Sequence, residues 1–136
     1  MKVTGRRIGL LHYDVYVAAS CPPQAAKSLP WVTYDETMAH LPQTRFMAAE
    51  ASAAGTPFAP LRVNDIEAVL AAVIAGLGRS LLPRVVADSD PRLRRVTSGR
   101  QPAALARELW LLVHRELRTL PRIEAVAQWI EGIAPR

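Results

Sequence analysis

Residues 61–83 read LRVNDIEAVLAAVIAGLGRSLLP and carry the strongest structural signal in the chain. Leu61–Val63 favours a short strand, and Asn64 is a helix-capping residue type with Glu67 three positions later, as in a capping box. Apolar residues then recur at helical spacing along one face: Ile66, Val69, Leu70, Val73 and Leu77. The stretch therefore predicts a strand followed by an amphipathic helix.

The glycines after this helix predict its end. Gly76 and Gly78 favour a C-cap and a tight turn with positive φ, and Ser80–Leu82 then favours a buried strand that Pro83 terminates. A Gly-x-Gly pair can also belong to a dinucleotide-binding fingerprint, but that fingerprint opens a helix after a strand. Here the glycines close a helix, so we predict a strand–helix–strand unit of a parallel sheet.

The flanking sequence extends this pattern. Strands are predicted at Leu10–Ala19, Trp31–Tyr34, Leu93–Val96 (an edge strand) and Glu108–His114 (a buried strand). Helices are predicted at Pro42–Ala53 (before Gly55) and from Pro121, where the apolar stripe is Ile123, Val126, Ala127, Ile130 and Ile133. A helical turn is expected at Pro83–Asp88, a loop at Gly55–Pro60 and a connection at Thr97–Ala104. Alternating strands and helices indicate an α/β sheet with helices on both faces.

Composition limits the class of protein. The 136 residues fit one domain and are half hydrophobic, with a net charge of +5. The arginines are dispersed, which favours a solvated surface over a nucleic-acid platform. A single cysteine, no signal peptide and no apolar run of membrane-spanning length predict a cytoplasmic protein.

Side chains that could perform chemistry are present but not grouped. Cys21 precedes Pro22 and has no recognisable partner motif, and the chain lacks a Gly-x-Ser-x-Gly elbow. The three histidines, at positions 12, 40 and 114, do not have metal-ligand spacing. Solvated or capping roles are the commoner ones for Asp14, Asp35 and Glu36. We therefore expect no enzyme activity, no metal site and no cofactor.

Residues 62–83 resemble the hallmark stretch of LysR-type transcriptional regulators. Three further segments agree with that family in the expected order: 5–20 resembles the crossover into a second lobe, 31–42 the next strand and loop, and 108–123 the return crossover and closing helix. The resemblance spans nearly the whole chain. It identifies the chain as similar to the C-terminal effector-binding domain of these regulators, truncated at its N-terminus.

The resemblance implies a fold. It is that of type 2 periplasmic binding proteins, in which two three-layer α/β/α, Rossmann-like lobes bind an effector in the cleft between them. On this alignment 1–11 is crossover and first-lobe remnant, 12–107 is the second lobe, and 108–136 is return crossover and closing helix. The first lobe is expected to be incomplete. DNA contact is expected only through a winged helix-turn-helix that precedes this part of the parent protein.

Four residues are candidates for effector binding: Ser20, Asn64, Asp65 and Gly78. The resemblance implies that they lie on the cleft side of the second lobe. For Asn64 and Asp65 there is also a physical reason, because a helix N-terminus at the carboxyl end of a parallel strand presents free N–H groups to ligands. Plain capping explains these two residues equally well. Free N–H groups favour an anion and Asp65 opposes one, so the charge of the ligand stays open.

Other interpretations stay open. A stand-alone solute-binding protein of the same fold and a non-functional gene fragment are the main alternatives, and nucleic-acid binding through the arginines is another. Removal of first-lobe partners should expose apolar surface on the strand at 108–114 and on the closing helix. We therefore expect a homo-oligomer.

Overall fold

The computed structural model describes residues 2–96 and 103–135, and contacts divide the chain into two units. One unit comprises Met1–Leu11 and Ala106–Arg136, and the other comprises His12–Leu105. We call them the terminal unit and the central unit. Most of the predicted connection at Thr97–Ala104 lies outside the described residues.

The elements follow the predicted order. The strands are β1 (Val3–Ala18), β2 (Trp31–Tyr34), β3 (Phe58–Val63), β4 (Ser80–Pro83), β5 (Leu93–Arg95) and β6 (Leu105–His114). The α-helices are α1 (Pro42–Ala54), α2 (Ile66–Ile74), α3 (Arg84–Ala87) and α4 (Pro121–Ile133), and short 3-10 helices occupy Pro23–Ser28 and Glu36–Met38. Three predicted strand boundaries were wrong, and one of them is the start of β6, which begins three residues before Glu108. β1 begins seven residues before Leu10, and β3 takes in the end of the predicted loop at Gly55–Pro60.

The strands of the central unit form two sheets, one of β2 and β3 and one that contains β4, β1 and β5, and a single backbone bridge links them. β2 and β3 are parallel, and on the other side of β2 the backbone of Arg79 bridges Trp31 in the parallel sense. β4, which follows that bridge, pairs antiparallel with β1, and β5 pairs with β1 at the far edge. The lateral order is therefore β3, β2, β4, β1, β5, with β2 between the two strands that α2 connects.

This order explains the layers. Crossovers between parallel strands are right-handed, so the crossover from β2 to β3 and the return from β3 to β4 leave their helices on opposite faces. Every residue of β2 and of β4 is buried, as expected of strands covered on both faces. Helices α1 and α2 both pack on β2 and β4. The predicted three-layer α/β/α arrangement is confirmed.

A polar cluster fixes β1 to the segment before β5. The hydroxyl of the buried Tyr16 donates a hydrogen bond to Asp88, which also forms an ion pair with Arg95. Burial alone would raise the pKa of Asp88, but the hydrogen bonds from Tyr16 and Arg95 outweigh burial and hold that pKa below its usual range. The carboxylate is therefore charged at neutral pH, and it satisfies both donors.

The terminal unit contains the first part of β1, together with β6 and α4. The Thr4 hydroxyl donates to the carbonyl of Val113, and the Leu10 amide donates to the carbonyl of Pro135. The prediction of a buried strand at Glu108–His114 was wrong, because β6 alternates between half-buried and exposed residues and Trp110 is 54% exposed. Only one face of β6 is covered by this unit, so the apolar residues of the other face meet solvent.

Helix α4 is likewise covered on one side only. Within the predicted apolar stripe, Ile123, Ala127 and Ile130 are half-buried, whereas Val126 and Ile133 are exposed. Trp129 lies beside those two at helical spacing and is 65% exposed. The helix thus presents a second apolar face, which we call the outer face of α4 (Val126, Trp129 and Ile133).

Candidate functional site

Three strands of the central unit end at one edge of the sheet, which we call the carboxyl edge. Tyr34 ends β2 opposite Val63 of β3, so Asn64 and Asp65 follow immediately at the same edge. The Asp35 amide donates to the carbonyl of Val63 at 2.8 Å, which holds the two strand ends together. β1 runs antiparallel to β4, and Tyr13 of β1 pairs with Pro83 at the end of β4.

Asp65, and not Asn64, is the N-cap of α2. Its Oδ1 accepts a hydrogen bond from the Ala68 amide at 2.7 Å, and its backbone is extended. The predicted cap was wrong by one residue because the helix begins at Ile66, which puts Ala68 rather than Glu67 at the third helical position. The carboxylate already satisfies a free N–H of the helix, and the neighbouring Asn64 is exposed.

Two tyrosines stand beside this cap. Tyr34 is 4% exposed, and burial raises the pKa of its phenol, with smaller contributions from Tyr13 and from the Asp65 carboxylate. The strand register agrees with the contribution from Asp65, because Tyr34 pairs with Val63, two residues before that carboxylate. Tyr13 is also buried. The Tyr34 hydroxyl forms no hydrogen bond with any residue of the described ranges, so a neutral phenol is available at the carboxyl edge.

A buried ion pair closes the other side of this edge. Asp14 follows Tyr13 on β1 and is 1% exposed, and Arg84 is the first residue after β4. The Arg84 Nη2 lies 2.6 Å and its Nε 3.1 Å from the Asp14 Oδ2. A guanidinium bound in this way to a buried carboxylate adds no net positive charge to the edge.

The structure separates the four predicted site residues into two pairs. Asn64 and Asp65 lie at the carboxyl edge. Gly78 precedes Arg79, which bridges Trp31 at the start of β2, and therefore lies at the opposite edge. Ser20 follows β1 beyond Tyr16, the partner of Ser80 at the start of β4, and lies at that opposite edge too. The length of β2, roughly 10 Å, separates the pairs.

Gly78 has a structural reason to be glycine. It is buried, and an added Cβ would lie 2.4 Å from the carbonyl oxygen of Pro30. The prediction of positive φ holds for Gly76, with φ of 82°, but not for Gly78. The requirement at Gly78 is thus close approach of two backbones, and the left-handed turn lies at Gly76 alone. Leu77, predicted on the apolar face of α2, follows the helix and is exposed.

Other parts of the described chain offer less chemistry. They contain no group of three or more histidine, cysteine, aspartate or glutamate residues arranged to hold a metal ion. No helix within those parts is both long and apolar enough to cross a membrane. The terminal unit has a groove of about 550 Å³ between its strands and α4, lined mainly by Leu111, Val113, Ile123 and Ala127, with Arg6 and Arg118.

Tyr13, Tyr34 and Arg84 were not among the predicted site residues. The sequence carries a signal for Tyr34 and Arg84, because both stand at or near the ends of predicted strands. Three of those ends, after Tyr34, after Val63 and after Leu82, are carboxyl ends of parallel strands, which meet at one edge. The position of Tyr13 depends on the antiparallel register of β1 with β4, which only the structure provides.

Comparisons with known proteins agree on one family. The model of the family described as the LysR substrate binding domain matches residues 5–134. The regulatory domain of Synechocystis PCC6803 CcmR, solved in complex with 2-PG, aligns with a TM-score of 0.68 and 10% identity over 100% of this chain and 70% of that one. The CrgA regulatory domain from Neisseria meningitidis aligns at 0.65 and 11% over 96% and 68%. A search of curated proteins finds no match.

A full-length relative shows how much of a regulator this chain spans. The structure of full-length CbnR complexed with its target DNA aligns with a TM-score of 0.60 and 16% identity, over 96% of this chain and 48% of that one. The chain therefore spans about half the length of that relative. At such identities the likeness concerns the fold, which is the type 2 periplasmic-binding-protein fold of LysR regulatory domains.

Proposed function

Because the chain belongs to the LysR substrate-binding domain family, we propose that it is the effector-sensing part of a LysR-type transcriptional regulator. The observation that carries this proposal is the family match, which covers residues 5–134 of 136. The family is one of transcription-regulator domains and is not an enzyme class. A related regulatory domain was solved with a small molecule, 2-PG, bound to it.

The effector binds at the carboxyl edge of the central unit. In open α/β sheets, ligands bind outside the carboxyl ends of the strands. Asn64, Asp65 and Tyr34 supply polar groups there, and the Tyr34 hydroxyl has no partner among the described residues. Ser20 and Gly78 are left out of the proposed site, because they lie at the other edge.

The proposed division into lobes follows the family. Residues 12–107 form the second lobe, and 1–11 and 108–136 belong to the crossovers and the first lobe. The division of contacts at His12 and Leu105 supports this assignment. Effector binding then acts by population shift, which requires different affinities of the effector for two arrangements of the regulator.

DNA contact belongs to a part of the regulator outside this chain, and the regulator acts in the cytoplasm, where its DNA is. The arginines support this division, because they are dispersed along the sequence and are not interleaved with aromatic residues as in a stacking platform. Salt-dependent DNA binding by this chain alone, measured by fluorescence anisotropy at two ionic strengths, would contradict it.

The chain self-associates through the terminal unit. The exposed Trp110 and Leu112 of β6 and the outer face of α4 support this proposal. Exposed apolar surface of this kind on a small protein marks an interaction site.

The binding proposal is tested by amide NMR of the 136-residue chain against a set of small metabolites. A ligand of this site shifts the amides of Tyr34 and Asn64–Ile66 in a saturable way. The variant Asn64→Ala should weaken that ligand, because it removes a hydrogen-bonding side chain worth about 1 kcal/mol, or roughly fivefold in affinity. Ser20→Ala is the matched control at the opposite edge and should bind as the parent chain does.

Two results would contradict the proposal. Saturable shifts that cluster around Ser20 and Gly78 would move the site to the other edge. An affinity unchanged in Asn64→Ala, for a ligand that shifts the amides of Tyr34 and Asp65, would remove Asn64 from the site.

A further inference from the structure

We infer that the effector presents a positively charged N–H donor, such as a primary ammonium group, to the carboxyl edge. This inference rests on the proposed function and adds the chemical class of the ligand. It is based on a comparison of two kinds of groups at this edge: charged groups that already have a partner in the protein, and hydrogen-bond acceptors that remain available to a ligand.

The N-terminus of α2 is not open to an anion. A free helix N-terminus attracts anions through its unpaired N–H groups and its dipole. Here the carboxylate of Asp65 already accepts from Ala68, and Glu67 adds a second acidic side chain in the first turn. An anionic ligand at this point would meet two negative charges in exchange for a hydrogen bond that the protein has already made.

The arginines near this edge either form an ion pair with the protein or hold their guanidinium groups away from the edge. Arg84 is bound to the buried Asp14. Arg62 lies next to the end of β3, but its guanidinium stacks over Phe58 at 5.6 Å, at the start of that strand. Arg45, in the first turn of α1, is exposed on the side away from the buried Gln43. The described edge therefore offers a ligand little positive charge.

Hydrogen-bond acceptors remain at the same place. The Tyr34 hydroxyl is held by a side chain that is 4% exposed and has no hydrogen-bond partner in the described ranges. Tyr34 pairs with Val63, two residues before Asp65, and the Asp65 carboxylate uses Oδ1 for the helix cap. Asp35 starts the next short helix by accepting from the Thr37 amide at 3.0 Å. An ammonium group has three donors and no acceptor, which matches the phenol oxygen together with the carboxylate oxygens that these two helix caps leave unused.

The test uses matched probes on the 136-residue chain. Two pairs share a carbon count or ring and differ in charge: benzylamine with benzoate, and 1,4-diaminobutane with succinate. Amide NMR follows residues 34–36 and 64–66 at constant pH and ionic strength. We expect at least one amine to shift these amides with saturation at millimolar concentration, and neither carboxylate to do so.

The conservative variant Asp65→Asn separates the effect of the carboxylate's charge from the effect of the helix cap. Asp65→Asn retains the helix cap, because asparagine caps as well as aspartate, so the fold is preserved. We expect the affinity for the amine to fall by about five- to tenfold, as for the loss of one charge-assisted hydrogen bond. Glu116→Gln removes the same charge from an exposed turn of the terminal unit and should leave the affinity unchanged.

The outcomes separate the two proposals. Saturable shifts with a carboxylate and none with an amine would overturn the ligand class and leave effector binding at this edge intact. An amine affinity unchanged in Asp65→Asn would also overturn it. If neither kind of probe, and no member of the metabolite set, shifts these amides, the carboxyl edge is not a binding site and both proposals are wrong.

Discussion

Gly78→Ala should destabilise the central unit without touching the proposed effector site. Gly78 leads into Arg79, whose backbone joins β2 to the start of β4 by two hydrogen bonds. The Arg79 amide donates to the carbonyl of Pro30 at 2.9 Å, and the Val32 amide donates to the carbonyl of Arg79 at 2.8 Å. An alanine Cβ would lie 2.4 Å from that same Pro30 oxygen.

The size of the effect follows from these distances. Ordinary van der Waals contact begins at 3.4 Å, so the two backbones must separate by 3.4 − 2.4 = 1.0 Å. A hydrogen bond of 2.9 Å stretched by that amount is lost. Two such bonds contribute about 1 kcal/mol each, and the displaced packing around them adds roughly 1–2 kcal/mol. We therefore expect the free energy of unfolding to fall by about 3–4 kcal/mol.

Urea unfolding measures this loss. Trp31 is buried beside the affected backbone, whereas Trp110 and Trp129 are exposed, so the blue-shifted emission reports on the central unit. Gly132→Ala is the matched control. It lies within α4, an added Cβ would have no neighbour within 4 Å, and the change should stabilise the helix by about 0.5–1 kcal/mol. A Gly78→Ala chain whose free energy of unfolding lies within about 0.5 kcal/mol of the parent would show that β2 and the start of β4 tolerate the added methyl group.

Three further predictions concern a buried ion pair, a hydrogen bond to a carboxylate and an exposed apolar face. Arg84→Met should lower the free energy of urea unfolding by about 3 kcal/mol, because the 1% exposed Asp14 loses its guanidinium, and equal stability would contradict this. Tyr16→Phe should cost about 1 kcal/mol at pH 7 through the lost hydrogen bond to Asp88. Since the pKa of Asp88 is lowered in the folded chain, that cost should be complete above the unfolded value of about 3.9 and vanish as the pH falls through the folded value, and a pH-independent cost would contradict it. Trp129→Ser should reduce self-association in sedimentation, and a parent chain that is strictly monomeric would contradict the proposed interface.

The fold was predictable where its causes are local. Apolar periodicity between Ile66 and Val73 and the glycine at position 76 were enough to predict α2 and its end, and β2 was predicted at Trp31–Tyr34 as observed. These features depend on residues within one turn or one strand. The cap was misassigned because two consecutive residues, Asn64 and Asp65, are both good caps, and only the position of the first helical residue decides between them.

Whether a strand is buried, and at which edge of the sheet a residue lies, depend on segments that are distant in sequence. The apolar run in β6 suggested a buried strand, but a strand is buried on both faces only when other elements cover both. In the same way, the sequence order of Ser20 and Gly78 does not reveal the edge at which each one lies. That follows from the antiparallel register of β1 with β4 and from the bridge at Arg79, both of which join segments at least 48 residues apart.

The sequence alone does not determine the charge of the ligand, whereas the structure favours one sign. From the sequence, Asn64 and Asp65 at a helix start are compatible with an anion or a cation, since free N–H groups and a carboxylate oppose each other. The structure shows that the Asp65 carboxylate accepts a hydrogen bond from the Ala68 amide at the helix N-terminus. It also shows that Arg84 forms an ion pair with Asp14. Once these two pairs are set aside, the remaining acceptors are the Tyr34 hydroxyl and the carboxylate oxygens of Asp35 and Asp65 that the helix caps do not use, and these acceptors are the basis for the amine.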